Sequence, residues 1–147
     1  MKQVEQFQEK LARLFPESIT DNTERIASAR NVTFQVTDDC NLRCTYCYQI
    51  CKGHHVMPFD IAKRFIDMLL SYKTKEDNEY INQENSKGLI IEFIGGEPFL
   101  EIDLIDQITD YFISEMYRLH HPWATRFMIS ICSNGLLYFD PKVQAYL

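Results

Sequence analysis

The sequence predicts an α/β fold built on parallel strands. Short apolar runs bounded by glycine or polar turns alternate with longer segments whose apolar residues recur every three or four positions. That alternation marks strand–helix units on a parallel sheet with right-handed crossovers. The 147 residues make one domain by size. A content of 46% hydrophobic and 13% aromatic residues is enough for a packed core.

The elements can be justified in order. Residues 3–15 set Val4, Phe7, Leu11, Leu14 and Phe15 on one helical face, and Pro16 ends the run, so a helix packed on the outside of the main body is expected. Residues 18–29 are a polar connection with room for a short helix over 24–29. Val32–Thr37 alternates and is β-branched, which predicts the first strand. A helix is expected from about Pro58 to Tyr72, with Pro in its first turn and Phe59, Ala62, Phe65, Ile66, Leu69 and Leu70 as its buried stripe. Residues 73–88 are charged and Asn-rich without periodicity and read as an exposed loop.

Leu89–Ile94 is short, apolar and flanked by Gly88 and Gly95, which favours a buried strand. Glu101–Leu119 is the next helix, with Ile102, Ile105, Ile108, Phe112, Met116 and Leu119 as its spine. Acids crowd its start and Arg118 and His120 its end, matching the helix dipole. Phe127–Cys132 is the third strand, and Asp140-Pro141 is an N-cap and first-turn Pro that starts a last helix. Residues 1–31 therefore form an N-terminal helical extension, and 32–147 carry three strand–helix units, the last cut short.

Composition excludes some functions. A net charge of −6 argues against a nucleic-acid partner, which needs a basic stripe. No basic amphipathic segment, N-terminal h-region or apolar run of about 18 residues suggests a membrane, so a cytoplasmic protein is expected. Five cysteines suit a metal better than a disulfide framework.

Three of them, Cys40, Cys44 and Cys47, stand at C-x3-C-x2-C spacing just after the first strand. So short a run reads as a loop wrapping its sulfurs around one inorganic centre. Iron–sulfur clusters are held by thiolates at such spacings, and a cluster with three protein thiolates leaves one iron open to a small molecule. The competing reading is a non-catalytic zinc module with Cys51 or His54 as fourth ligand. Zinc knots, however, usually pair two C-x2-C units, and none is present. Gly95-Gly96-Glu97-Pro98 and Ser133-Asn134-Gly135 each follow a strand. In parallel barrels such positions gather at the rim that carries the active site. Cys132 reads as a buried small hydrophobe, Tyr48 as a packing residue, Asn41 as filler, and Arg43 as solvated or paired with Asp38 or Asp39. The face of Glu92 is undecided.

With these stretches in hand (CNLRCTYCY, EFIGGEPFL and SICSNGLLY), residues 32–141 resemble the radical S-adenosylmethionine (SAM) superfamily, and most of all its SPASM-type branch of peptide maturases and anaerobic sulfatase-maturing enzymes. The resemblance implies a partial (β/α)6 barrel, of which this chain would be the N-terminal half. By itself such a half would leave an unpaired edge at its last strand and could be inactive. The resemblance further implies Cys40, Cys44 and Cys47 as ligands of a [4Fe–4S] cluster, and Tyr46 beside the adenine. It implies Gly95, Gly96, Glu97 and Pro98 at the SAM ammonium group, and Ser133 or Asn134 at its carboxylate or ribose. The implied reaction is reductive cleavage of SAM to a 5′-deoxyadenosyl radical that modifies a peptide or protein substrate. An electron donor such as flavodoxin or ferredoxin would supply the reductant.

Overall fold

The computed structural model describes residues 29–50 and 52–147. Strand β1 (Ala29–Thr37) leads through a long loop to helix α1 (Phe59–Ser71), followed by β2 (Gly88–Gly95), a 3-10 turn (Pro98–Glu101) and helix α2 (Ile102–Arg118). A second 3-10 turn (Pro122–Thr125), β3 (Phe127–Ile131) and the short helix α3 (Pro141–Tyr146) complete the order. The three strands form one parallel sheet in the order β1-β2-β3. The expected helix over 3–15, most of the 18–29 connection and Cys51 lie outside the described residues. β1 begins three residues before the predicted strand, since Ala29, Arg30 and Asn31 pair with Gly88, Leu89 and Ile90.

Period-2 alternation sends one set of strand side chains to each face of the sheet. Val32, Phe34 and Val36 of β1 and Leu89, Ile91 and Phe93 of β2 share one face and are buried. Both α1 and α2 pack on that face. Helix α1 contributes Ala62, Ile66, Leu69 and Leu70, and α2 contributes Ile105, Ile108, Phe112 and Met116. Edge-on aromatic contacts tie the layers, Phe34 to Phe65 at 5.6 Å and Phe112 to Phe127 at 5.8 Å. A doubly wound sheet would have helices on both faces. Among the described residues the helices lie on one face alone, and the other face carries Thr33, Gln35, Glu92, Ile94 and Ser130. The architecture is α/β and compatible with a partial radical SAM barrel.

Several expectations are corrected. Residues 73–88 are not simply exposed: Asn82 and Ser86 are buried. The Asn82 carboxamide accepts from the N–H groups of Glu84 and Asn85 and donates to the Asn78 carbonyl, so the loop satisfies its own backbone. Trp123 pins it by donating Nε1–H to the Ser86 carbonyl at 2.8 Å. Leu119 is exposed instead of joining the α2 spine. The helix ends at Arg118 in a Schellman closure, His121 N–H to Met116 carbonyl and His120 N–H to Tyr117 carbonyl, with His120 in the left-handed region at φ 50°. Cys132 is exposed, because the strand alternation that buries Phe93 turns it to the uncovered face. No described helix is long and apolar enough to cross a membrane.

Candidate functional site

The Cys loop is closed at its neck by the residues just before it. Thr37 is buried, donates its hydroxyl to the His55 carbonyl and accepts from the Asp39 N–H, both at 3.1 Å. The chain returns alongside β1: Asp38 N–H meets the His55 carbonyl and Met57 N–H the Val36 carbonyl. Asp39 accepts from Cys40 N–H at 2.7 Å and pairs with His54 Nδ1 at 2.8 Å. The His54 hydrogen bond, then the Cys40 N–H, holds the Asp39 carboxyl below its ordinary range. Arg43 is exposed, and among the described residues no acid pairs with it. Its guanidinium donates to the Cys40 and Leu42 carbonyls, and Lys52 joins it at Leu42, because a tight loop leaves those carbonyls without strand partners.

Cys40, Cys44 and Cys47 are all free thiols, Cys40 buried and the other two half-buried. Leu42 N–H points at the Cys40 sulfur at 3.4 Å. Among the described residues no three His, Cys, Asp or Glu side chains converge to hold a metal ion. A lone zinc gathers its ligands at about 2.0–2.3 Å from one point, whereas a cluster spreads its cysteines over different irons. The soft, undisulfided donor set on one loop suits the cluster in chemistry. His54 belongs to Asp39 and not to the thiols. Tyr46 and Tyr48 are both exposed, so neither packs under the loop.

The Gly95–Pro98 turn lies directly against that neck. Gly96 N–H donates to the Thr37 carbonyl at 3.0 Å and Glu97 N–H to the Asp39 carbonyl at 2.8 Å. A Cβ on Gly96 would stand 2.1 Å from the Asp39 carbonyl oxygen, so only glycine permits the approach. Glu97 is fully buried. Its carboxylate accepts from Phe99 N–H at 3.0 Å, Ser133 Oγ at 2.7 Å and Asn134 N–H at 2.9 Å. Pro98 then opens the 3-10 turn. The Asn134 amide donates to the Asn41 side chain at 2.8 Å, so Asn41 is a link and not filler. Glu101, nearby, has its pKa raised by burial and then by the charges of Asp103 and Asp39.

All three stretches singled out in the sequence therefore meet at the C-terminal ends of the strands. Sequence reasoning missed Glu97 as the buried hub between them, and the Thr37–Asp39–His54 neck. Only the second had a local signal: Thr-Asp-Asp before a loop is turn-forming.

No family model matches the chain. A radical SAM cyclopropyl synthase from Paramaledivibacter caminithermalis is 29% identical over 76% of this chain and 23% of its own length. An S-adenosylmethionine-dependent nucleotide dehydratase from Oncorhynchus mykiss is 29% identical over 82% of this chain and 29% of its own. Such likenesses support the radical SAM superfamily. An uncharacterized protein from Methanocaldococcus jannaschii is 39% identical over 56% of this chain and 24% of its own. The chain thus spans between a fifth and a third of the length of these relatives. At the level of the superfamily, radical SAM relatives imply an enzyme, with SAM and a [4Fe–4S] cluster as its cofactors.

Proposed function

We propose that this chain is the cluster- and SAM-binding part of a radical SAM enzyme that modifies a peptide or protein, in the SPASM-type branch. Cys40, Cys44 and Cys47 are the cluster ligands. The SAM ammonium and carboxylate meet Gly95, Gly96, Glu97 and Pro98 on one side and Ser133 and Asn134 on the other, with Tyr46 toward the adenine. When bound, cluster and SAM supply the 5′-deoxyadenosyl radical that abstracts a substrate hydrogen. Flavodoxin or ferredoxin is the proposed reductant, and the cytoplasm the proposed compartment.

The observation that carries this reading is Glu97. A carboxylate offers about four acceptor sites, and three are taken by neutral donors. Among the described residues no Lys, Arg or His pairs with it. Buried charges are normally paired, so a cation arriving at the rim answers an unmet electrostatic demand. The ammonium group of SAM is such a cation. The same three bonds orient the carboxylate and hold Ser133 and Asn134 against the neck of the Cys loop, which keeps the ligand rim in register with the thiols.

Anaerobic reconstitution with iron and sulfide, reduction, and EPR test the proposal on the intact protein. A [4Fe–4S] signal that changes shape on adding SAM is expected, with loss of the signal in Cys44→Ala. A colourless protein without labile sulfide would reject it.

A further inference from the structure

Among the described strand residues, Glu92 is the one formal charge on the sheet face opposite the helices; Asp38, just past the end of β1, accepts from Gln35 Nε2 at 2.6 Å. The described strand residues of that face are Asn31, Thr33 and Gln35 of β1, Ile90, Glu92 and Ile94 of β2, and Met128 and Ser130 of β3. Register places Thr33, Glu92 and Ser130 in one row across the three strands. Glu92 is held in a fixed pose: Thr33 Oγ1 donates to its Oε2 at 2.8 Å and Asn31 Nδ2 to the same oxygen at 3.4 Å. Among the described residues nothing donates to Oε1. Glu92 lies three residues before Gly95, about 10 Å below the rim at roughly 3.3 Å per residue.

We propose that Glu92 is the specificity-determining residue of the substrate chamber, receiving a cationic nitrogen (a primary ammonium or a guanidinium) of the substrate on Oε1. The inference rests on the proposed function, in which this face lines the inside of a barrel below the SAM rim. Inside such a barrel a carboxylate with one satisfied oxygen and, among the described residues, no paired cation is costly unless it finds one. Among the described residues the strand side chains around Glu92 are amides, hydroxyls and apolar groups, and the further charge at this face, Asp38 against Gln35, is another acid; on this proposal the counter-charge comes with the substrate. A neutral substrate group would leave Oε1 and the charge unmet, which makes the site discriminate against uncharged isosteres.

The test uses the intact, reconstituted protein with SAM bound and three fragments of matched shape: n-butylammonium, n-butylguanidinium and neutral n-butylurea, titrated calorimetrically. The two cations should bind about tenfold or more tightly than the urea, as a charge-assisted hydrogen bond implies. In Glu92→Gln, which keeps an acceptor for Thr33, the preference should vanish while the melting temperature and the SAM-dependent EPR change stay as in the parent. Equal affinities in the parent, or a cation preference that survives Glu92→Gln, overturn the inference. So does a Glu92→Gln protein that melts well below a parent showing no preference, since Glu92 would then only tie strands together. In each of those cases the SAM-dependent EPR change persists and the proposed function stands. Absence of that change in the parent removes both.

Discussion

Replacing Gly96 by Ala tests the contact on which the site's assembly depends. The added methyl would sit 2.1 Å from the Asp39 carbonyl oxygen, 2.6 Å from its carbon and 2.8 Å from the Asp38 carbonyl oxygen. All three are backbone atoms, so no side chain can rotate away. Relief requires the rim turn to lift from the neck, which breaks the Gly96–Thr37 and Glu97–Asp39 hydrogen bonds. Two such bonds are worth about 1 kcal/mol each, and residual overpacking adds roughly 1–2 kcal/mol. The expected loss is about 3–4 kcal/mol, read from the urea midpoint at constant m-value. Gly53→Ala is the control, because its Cβ would meet nothing closer than 3.6 Å, and it should change stability by less than about 0.5 kcal/mol. Gly96→Ala as stable as the parent would refute the claim that the rim and the neck are locked by close backbone approach. Weakened SAM binding in Gly96→Ala but not in Gly53→Ala would tie that lock to function.

Glu97→Ala should cost about 3 kcal/mol, because three donors to a buried carboxylate lose their acceptor. Glu97→Gln should cost less than that in chemical denaturation yet weaken SAM binding about tenfold or more, since only the charge and one acceptor are lost. His121 is buried, its Nδ1 accepting from Trp123 N–H. Burial pushes its pKa down, opposed by the Leu70 backbone. The unfolded state therefore takes up the proton first, so this contribution is complete above about pH 6.5 and is lost as pH falls below it. The melting temperature should drop between about pH 7.5 and about pH 5.5, and by less in His121→Gln. His120→Gly should raise stability by about 1 kcal/mol in thermal melts, as glycine adopts the left-handed closing position of α2 without steric cost.

The helices and strands were largely legible because apolar spacing reports which face an element buries. The β2 run carries that signal almost alone, and so does the α1 stripe at Ala62, Ile66, Leu69 and Leu70, whereas Phe59 is half-buried and Phe65 exposed. Asp140 also caps α3 as its sequence position suggests, accepting from Lys142 N–H. Legibility failed where a partner came from far along the chain. Asn41 looks like filler until Asn134, 93 residues away, donates to it. The Asn-rich 73–88 loop looks exposed until Trp123 and His121 fold against it. Tyr48 and Cys132 looked apolar enough to bury, but their backbones face them outward.

The order of elements, their parallel sense and the three stretches that lie at strand ends follow from the sequence alone, because hydrophobic period and turn chemistry are local properties. Only the tertiary structure decided that Glu97 is the buried hub joining those stretches, that both helices take the same face, and that Glu92 stands on the open one. Those outcomes depend on which backbones approach closely enough to share hydrogen bonds, and no local window of residues contains that distance.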